Sequence, residues 1–121
     1  MSAEIIETQG GILTMKVAGR LTEAELADAQ QRVAAIIRTR GKARILVLAD
    51  DFLGWERGGQ WNDFSFQEHN DPAIEKMAIV GAARFRDNAL IFVGKGWRPF
   101  PIEYFMPGEA ALARAWLDLP S

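Results

Sequence analysis

The stretch TEAELADAQQRVAAIIRTRGKARILVLA, residues 22–49, places an amphipathic helix directly before a buried strand. Thr22, with Glu25 three residues later, forms a capping box, which marks the start of a helix. The apolar residues that follow recur at steps of three and four and form one stripe: Leu26, Ala29, Val33 and Ile37. Gly41 predicts the end of the helix. The unbroken apolar run Ile45–Ala49 then predicts a strand that is covered on both faces of a parallel sheet.

Further strands are predicted on both sides of this stretch. Ile5-Ile6, the pair Gly10-Gly11 and the alternating segment Ile12–Val17 predict a β-hairpin. Met77–Val80 is a second short apolar run, and Ile102–Met106 predicts the last strand.

Three more helices are expected after the first. One is predicted near Gln60–His69. Within Arg84–Gly94, the run Ala89–Val93 is compatible with a strand, but the helical spacing of the apolar residues in this segment favours a helix. Pro107 can start a C-terminal helix. The buried stripe of that helix is predicted to be Leu112, Trp116 and Leu119.

The resulting order is strand, strand, helix, strand, helix, strand, helix, strand, helix. Alternation of this kind predicts an α/β fold with parallel pairing and right-handed crossovers. The sheet is expected to be mixed because a hairpin opens it, and about four helices should cover it. No linker or repeat interrupts the 121 residues, so one domain over residues 1–121 is expected.

The composition narrows the classes of function. The chain has no cysteine and one histidine, which argues against thiolate chemistry and multi-histidine metal sites, and no cofactor is expected. Its net charge of −2 gives no sign of nucleic-acid binding. The longest apolar runs are far shorter than the ~20 residues of a transmembrane segment, and no secretory signal is visible, so a cytoplasmic protein is expected.

Aromatic residues are unevenly placed along the chain. Residues 1–51 contain none, and all of the four Trp, seven Phe and one Tyr except Trp116 lie between residues 52 and 105. Three interpretations stay open for them: core packing, a protein interface, or the lining of an apolar pocket. The candidate ligand or interface residues are Trp55, Trp61, Phe64, Phe66, Phe92, Trp97 and Phe100.

Charged residues give weaker hypotheses. Asp50 and Asp51 follow a central strand, where open α/β sheets place ligands, and with Glu56 they are candidates for acid–base chemistry or magnesium binding. Adjacent aspartates are more often turn residues, which is the interpretation we favour. Lys95 and Arg98, next to Gly94 and Gly96, form a candidate anion site.

The chain resembles a known family, the SpoIIAA-like proteins of the STAS superfamily. This branch is related to CRAL-TRIO lipid-transfer domains. The resemblance spans nearly the whole length and makes residues 1–121 a single SpoIIAA-like (STAS-type) domain. The segments that carry it are Gly19–Thr22, Asp51–Glu56, Trp61–Phe64, Lys76–Gly81, Tyr104-Phe105 and Ala115–Leu117.

The resemblance implies a small bacterial module without catalysis. Its best-understood relatives are switched by phosphorylation of a serine after the equivalent strand. Here Asp50-Asp51-Phe52 stands at that place, and the chain's only serines are Ser2, Ser65 and Ser121, so this switch does not carry over. The expected function is therefore non-enzymatic. One possibility is contact with a protein partner or with a second copy of the chain, as in a homodimer. The alternative is binding or transfer of a lipid or other small hydrophobic ligand.

Overall fold

The structure is a computed structural model that describes residues 2–9, 12–55, 73–93, 95 and 98–119. These residues contain six strands and three α-helices. The strands are β1 (Ser2–Gln9), β2 (Ile12–Leu21), β3 (Ala43–Ala49), β4 (Phe52–Trp55), β5 (Ile74–Gly81) and β6 (Ile102–Phe105). The helices are α1 (Glu23–Arg40), α2 (Arg86–Val93) and α3 (Ala110–Asp118), and a 3-10 turn, Ala83–Phe85, leads into α2.

The strands form one mixed sheet in the order β1-β2-β3-β5-β6. β1 and β2 pair antiparallel as a hairpin, whereas β2, β3, β5 and β6 pair parallel in that order. The α/β fold and the hairpin that opens the sheet are thus confirmed. The segment after β5 forms the helix α2, as the helical spacing of its apolar residues predicts, and not a strand.

The number of helices differs from the expectation of about four. The described residues contain three α-helices. The helix predicted near Gln60–His69 lies outside the described residues, so the structure does not bear on it.

Helix α1 begins and ends as its sequence predicts. The Glu25 amide donates to the Thr22 hydroxyl at 3.1 Å, and the Thr22 amide donates to the Glu25 carboxylate at 3.0 Å, which completes the capping box. Gly41, with φ of 88°, ends the helix and donates its N–H to the Ile37 carbonyl. Ala29, Val33 and Ile37 are buried in the predicted stripe, while Leu26 is only half-buried.

Strand β4 was not expected from the sequence. β3 stops at Ala49, the exposed residues Asp50 and Asp51 make a turn, and the chain resumes as β4 along the far end of β2. This pairing is available because β2 runs past the end of β3 and leaves its last residues without a neighbour there. The Gly19 amide donates to the Asp51 carbonyl at 2.9 Å at the junction.

Helix α3 begins later than predicted and buries a different stripe. It starts at Ala110, and its buried residues are Ala113 and Leu117. Leu112 and Leu119 are 56% and 54% exposed, so the predicted stripe is wrong at these two positions, whereas Trp116 is half-buried and packs against the core. The small Ala113 lets the helix pack directly on Leu46, Ala78 and Val80 of the sheet.

Two cations from the sheet hold the C-terminal end of α3. Lys76 on β5 is 4% exposed and donates to the carbonyls of Trp116 at 3.1 Å and Leu119 at 2.7 Å. Arg44 on β3 donates to the carbonyls of Leu117 and Leu119 and lies 3.4 Å from the Glu75 carboxylate. Positive charge at this end of a helix offsets the unsatisfied carbonyls there.

Candidate functional site

A cavity of ≈ 170 Å³ lies on the face of the sheet opposite α3. Its floor is made of side chains from β2, β3, β5 and β6, and its walls come from α1, α2, β4 and the turn before α2. The aliphatic residues that line it are Met15, Val17, Leu21, Leu26, Val33, Ile45, Val47, Ala49, Met77, Ile79, Ala89 and Val93. The half-buried Leu26 of α1 packs against the cluster that contains Leu21 and Phe52 and also lines the cavity, which explains its partial exposure.

Aromatic rings form one wall of the cavity. The Phe52 ring centroid lies 4.9 Å from that of Trp55 and 5.1 Å from that of Phe85, both edge-on. Trp55 also lies 5.3 Å from Phe92. Edge-on contacts at these distances are the favoured geometry of aromatic pairs. The rings therefore support one another and present a continuous aromatic wall.

Strand β4 is what brings this wall to the sheet. Phe52 pairs with Gly19 and Trp55 with Leu21 of β2, so the two rings are fixed by backbone hydrogen bonding. Gly54 between them has φ of 121°, a conformation that other residues rarely adopt. A Cβ at Gly54 would make only an ordinary contact with the Phe85 ring, at 3.9 Å, so the backbone conformation is what favours glycine here. The glycine thus permits the bend that places Trp55 over the cavity.

Few polar side chains among the described residues reach the cavity. Gln30, Arg98 and Tyr104 line it, and the Tyr104 hydroxyl donates to the Ala82 carbonyl at 2.7 Å. Arg98 donates to the Val93 carbonyl at 3.0 Å. The indole Nε1 of Trp55 is buried and has no hydrogen-bond partner among the described residues. The described part of the lining is therefore mainly apolar.

Tyr104 is the only tyrosine of the chain, and burial raises its pKa above 10.0, with a further contribution from the negative charge of Asp50. The protonated phenol is also the form that donates to Ala82.

We expect the titration of tyrosinate absorbance in the native protein to have its midpoint above 10.0, and that of the urea-unfolded chain to lie near 10.0. The folded state holds the phenol proton more tightly, so this group's stabilisation is complete below pH 10.0 and is lost as the pH rises through the folded pKa. The Tyr104→Phe variant should lack this component of the alkaline loss of stability. Equal midpoints of the tyrosinate titration in the native and the unfolded protein would contradict this prediction.

The aromatic candidates fall into three groups. Trp55 and Phe92 are half-buried and line the cavity. Phe100 is 7% exposed and belongs to the core cluster with Leu13 and Ile102. The other candidates lie outside the described residues: Trp61, Phe64, Phe66 and Trp97.

Sequence reasoning missed three aromatic residues of the cavity, Phe52, Phe85 and Tyr104. A signal for Phe85 was present, because it continues the helical spacing of Ala89 and Phe92, which face the same cavity. Phe52 and Tyr104 carried no local signal, since each reaches the cavity through strand pairing with a distant part of the chain.

The charged candidates stay separate from one another. Lys95 Nζ lies 3.4 Å from the Glu103 carboxylate, and the Arg98 guanidinium lies 4.7 Å above the Phe100 ring, so both side chains have partners within the protein. Asp50 and Asp51 are exposed in the turn between β3 and β4, the role we favoured for them, and Glu56 is outside the described residues. Among the described residues, no group of three or more acidic or histidine side chains could hold a metal ion.

Comparison with known proteins agrees with this architecture. A family model described as SpoIIAA-like matches residues 12–118. The chain belongs to the SpoIIAA-like family. No curated protein matches its sequence.

A solved structure shares the fold of this SpoIIAA-like protein. It is an uncharacterized protein from the DUF3478 family with a SpoIIAA-like fold, from Shewanella loihica PV-4. The two chains are 18% identical and superpose with a TM-score of 0.72, over 96% of this chain and 92% of that one. None of the described helices is long and apolar enough to cross a membrane.

Proposed function

We propose that this SpoIIAA-like protein is a non-enzymatic binding module that takes a small hydrophobic molecule into the cavity beside β4. The observation that carries the proposal is the cavity itself, ≈ 170 Å³ in volume, whose lining among the described residues is almost entirely aliphatic and aromatic. An apolar cavity of about 150 Å³ in another protein stays dry and accepts benzene. The expected ligand is therefore about the size of one substituted ring or a short acyl chain.

The apolar character of the lining supports binding of a hydrophobic molecule. A water molecule needs two to four polar partners to be held firmly in a cavity, and the described lining residues offer few of them. A hydrophobic ligand gains contacts with walls that otherwise lack neighbours, and it removes its own apolar surface from water.

The test uses cumene (isopropylbenzene) and octanoate as probes, with tryptophan fluorescence and ligand-observed NMR as readouts. We expect Ala89→Phe to weaken binding by at least about tenfold, because a ring at this half-buried position of α2 fills the space. The free energy of unfolding of this variant should stay the same or rise, as is common when a cavity is filled.

Ala27→Phe is the matched control, since Ala27 is exposed on α1 and is not part of the cavity lining. Failure of both probes to bind the unaltered protein would remove the proposal. Equal affinities of Ala89→Phe and Ala27→Phe would place any binding elsewhere on the molecule.

A second candidate function is contact with a protein partner, in the simplest case a second copy of the chain. Its support is Leu53 on β4 and Ile91 on α2, which are 59% and 77% exposed on elements that border the cavity. The described aromatic rings are at least half-buried, so the aromatic version of this hypothesis now depends on Trp61, Phe64, Phe66 and Trp97. A monomer at high micromolar concentration by light scattering would exclude self-association.

A further inference from the structure

Arg98 is the one charged side chain among the described residues that line the cavity. The other two polar side chains of the described lining, Gln30 and Tyr104, are neutral at physiological pH. No aspartate or glutamate belongs to this described lining, so an anion that enters the cavity meets no like charge among these residues. The described lining therefore combines a large hydrocarbon surface with one positive charge.

The guanidinium of Arg98 is held beside the cavity by two contacts. Nη1 donates to the Val93 carbonyl at 3.0 Å, and Val93 itself lines the cavity. The guanidinium carbon lies 4.7 Å from the centroid of the Phe100 ring, which is part of the core. Both contacts orient the planar group, since a guanidinium stacks on the faces of aromatic rings. A cation that is already held in place loses little conformational freedom when it binds an anion.

A carboxylate is the anion that this arrangement suits. A guanidinium carries five N–H donors in one plane, and their spacing matches the two oxygens of a carboxylate. We propose that the ligand of this cavity is a small monocarboxylate, whose apolar body occupies the cavity and whose carboxylate binds the Arg98 guanidinium. The inference rests on the proposed function and adds one charged group to the ligand.

The neighbouring cation, Lys95, lies outside this arrangement. Lys95 is exposed, its Nζ lies 3.4 Å from the Glu103 carboxylate, and it is not part of the described cavity lining. Lys95→Gln is therefore the matched control for Arg98→Gln, because each variant removes one positive charge from the segment between α2 and β6.

The experiment compares octanoate with octanamide, which has a similar shape and no charge. Dissociation constants are measured at neutral pH, where the carboxyl group is ionised, for the unaltered protein and for both variants. We expect the unaltered protein to prefer octanoate by about tenfold, a typical effect of one charge-assisted pair. This preference should disappear in Arg98→Gln and stay within about twofold of its original value in Lys95→Gln.

A second measurement needs no variant, so it holds even if Arg98→Gln folds poorly. In the unaltered protein, octanoate and not octanamide should shift the Arg98 Nε–H signal in a ¹H–¹⁵N spectrum. The signal reports on the guanidinium itself, whereas a change in tryptophan fluorescence reports only that the cavity is occupied.

Two failures are distinguishable. Equal affinities of the unaltered protein for octanoate and octanamide, or a preference for octanoate that Arg98→Gln retains, overturn the carboxylate inference and leave the cavity as a hydrophobic site. Failure of octanoate, octanamide and cumene to bind the unaltered protein overturns the proposed function, and the inference with it.

Discussion

Gly81→Ala should lower the free energy of unfolding by about 2 kcal/mol, as is typical when an extra methyl group is forced into a packed site. A Cβ at Gly81 would lie 2.6 Å from the Tyr104 hydroxyl oxygen and 3.4 Å from the Ala49 carbonyl oxygen. The tyrosine ring would have to move into the cavity, and its hydrogen bond to Ala82 would break. Urea unfolding measures the change.

Tyr104→Phe provides the matched test of this mechanism. Alone it should cost about 1 kcal/mol, since it removes one hydrogen bond. Combined with Gly81→Ala, it should cost at least about 1 kcal/mol less than the two single changes added together, because the atom responsible for the clash is gone. Additive effects would show that the clash does not involve the hydroxyl group.

The second large effect is expected on the other face of the sheet. Lys76→Met should lower the free energy of unfolding by about 2 kcal/mol, since it removes two charge-assisted hydrogen bonds to the C-terminal end of α3. It also removes the contact of the ammonium group with the Trp116 ring, whose centroid lies 5.0 Å from Nζ. Methionine keeps the apolar stem, so no large cavity is introduced.

Lys16→Met is the control for Lys76→Met. The Lys16 side chain is 47% exposed and lies 4.0 Å from the Asp51 carboxylate, an exposed ion pair whose loss should cost no more than about 0.5 kcal/mol. Hydrogen exchange should show faster exchange of α3 amides in Lys76→Met alone. A Lys76→Met protein as stable as Lys16→Met would mean that the cost of burying the ammonium group cancels its bonds.

The parts of the fold that depend on local interactions could be predicted from the sequence. The capping box of Thr22 and Glu25, the stop at Gly41 and the apolar run of β3 need only neighbouring residues, and each is present. β4 is different, because its four residues contain Gly54 and become a strand only through the unpaired end of β2. A pairing of this kind has no local signature.

The cavity could be predicted only in part. The sequence indicated an excess of rings after Asp51, and two of the candidate ligand or interface residues, Trp55 and Phe92, line the cavity. The volume of the cavity depends on how α1 and α2 pack against the sheet. This tertiary arrangement cannot be read from any short segment of the sequence. The α3 stripe was misjudged for a related reason, since large residues were taken as the buried ones, whereas close packing against Leu46 and Val80 required the small Ala113.

Side chains alternate along β3 and β5, so the sheet separates two layers of packing, one on each face. Leu46, Ala78 and Val80 face the tightly packed side under α3, and Ile45, Val47 and Ile79 face the cavity. A change at one position of a strand alters one layer and leaves the backbone between them in place. Substitutions on the cavity side can therefore reshape the cavity while the α3 side keeps the chain folded.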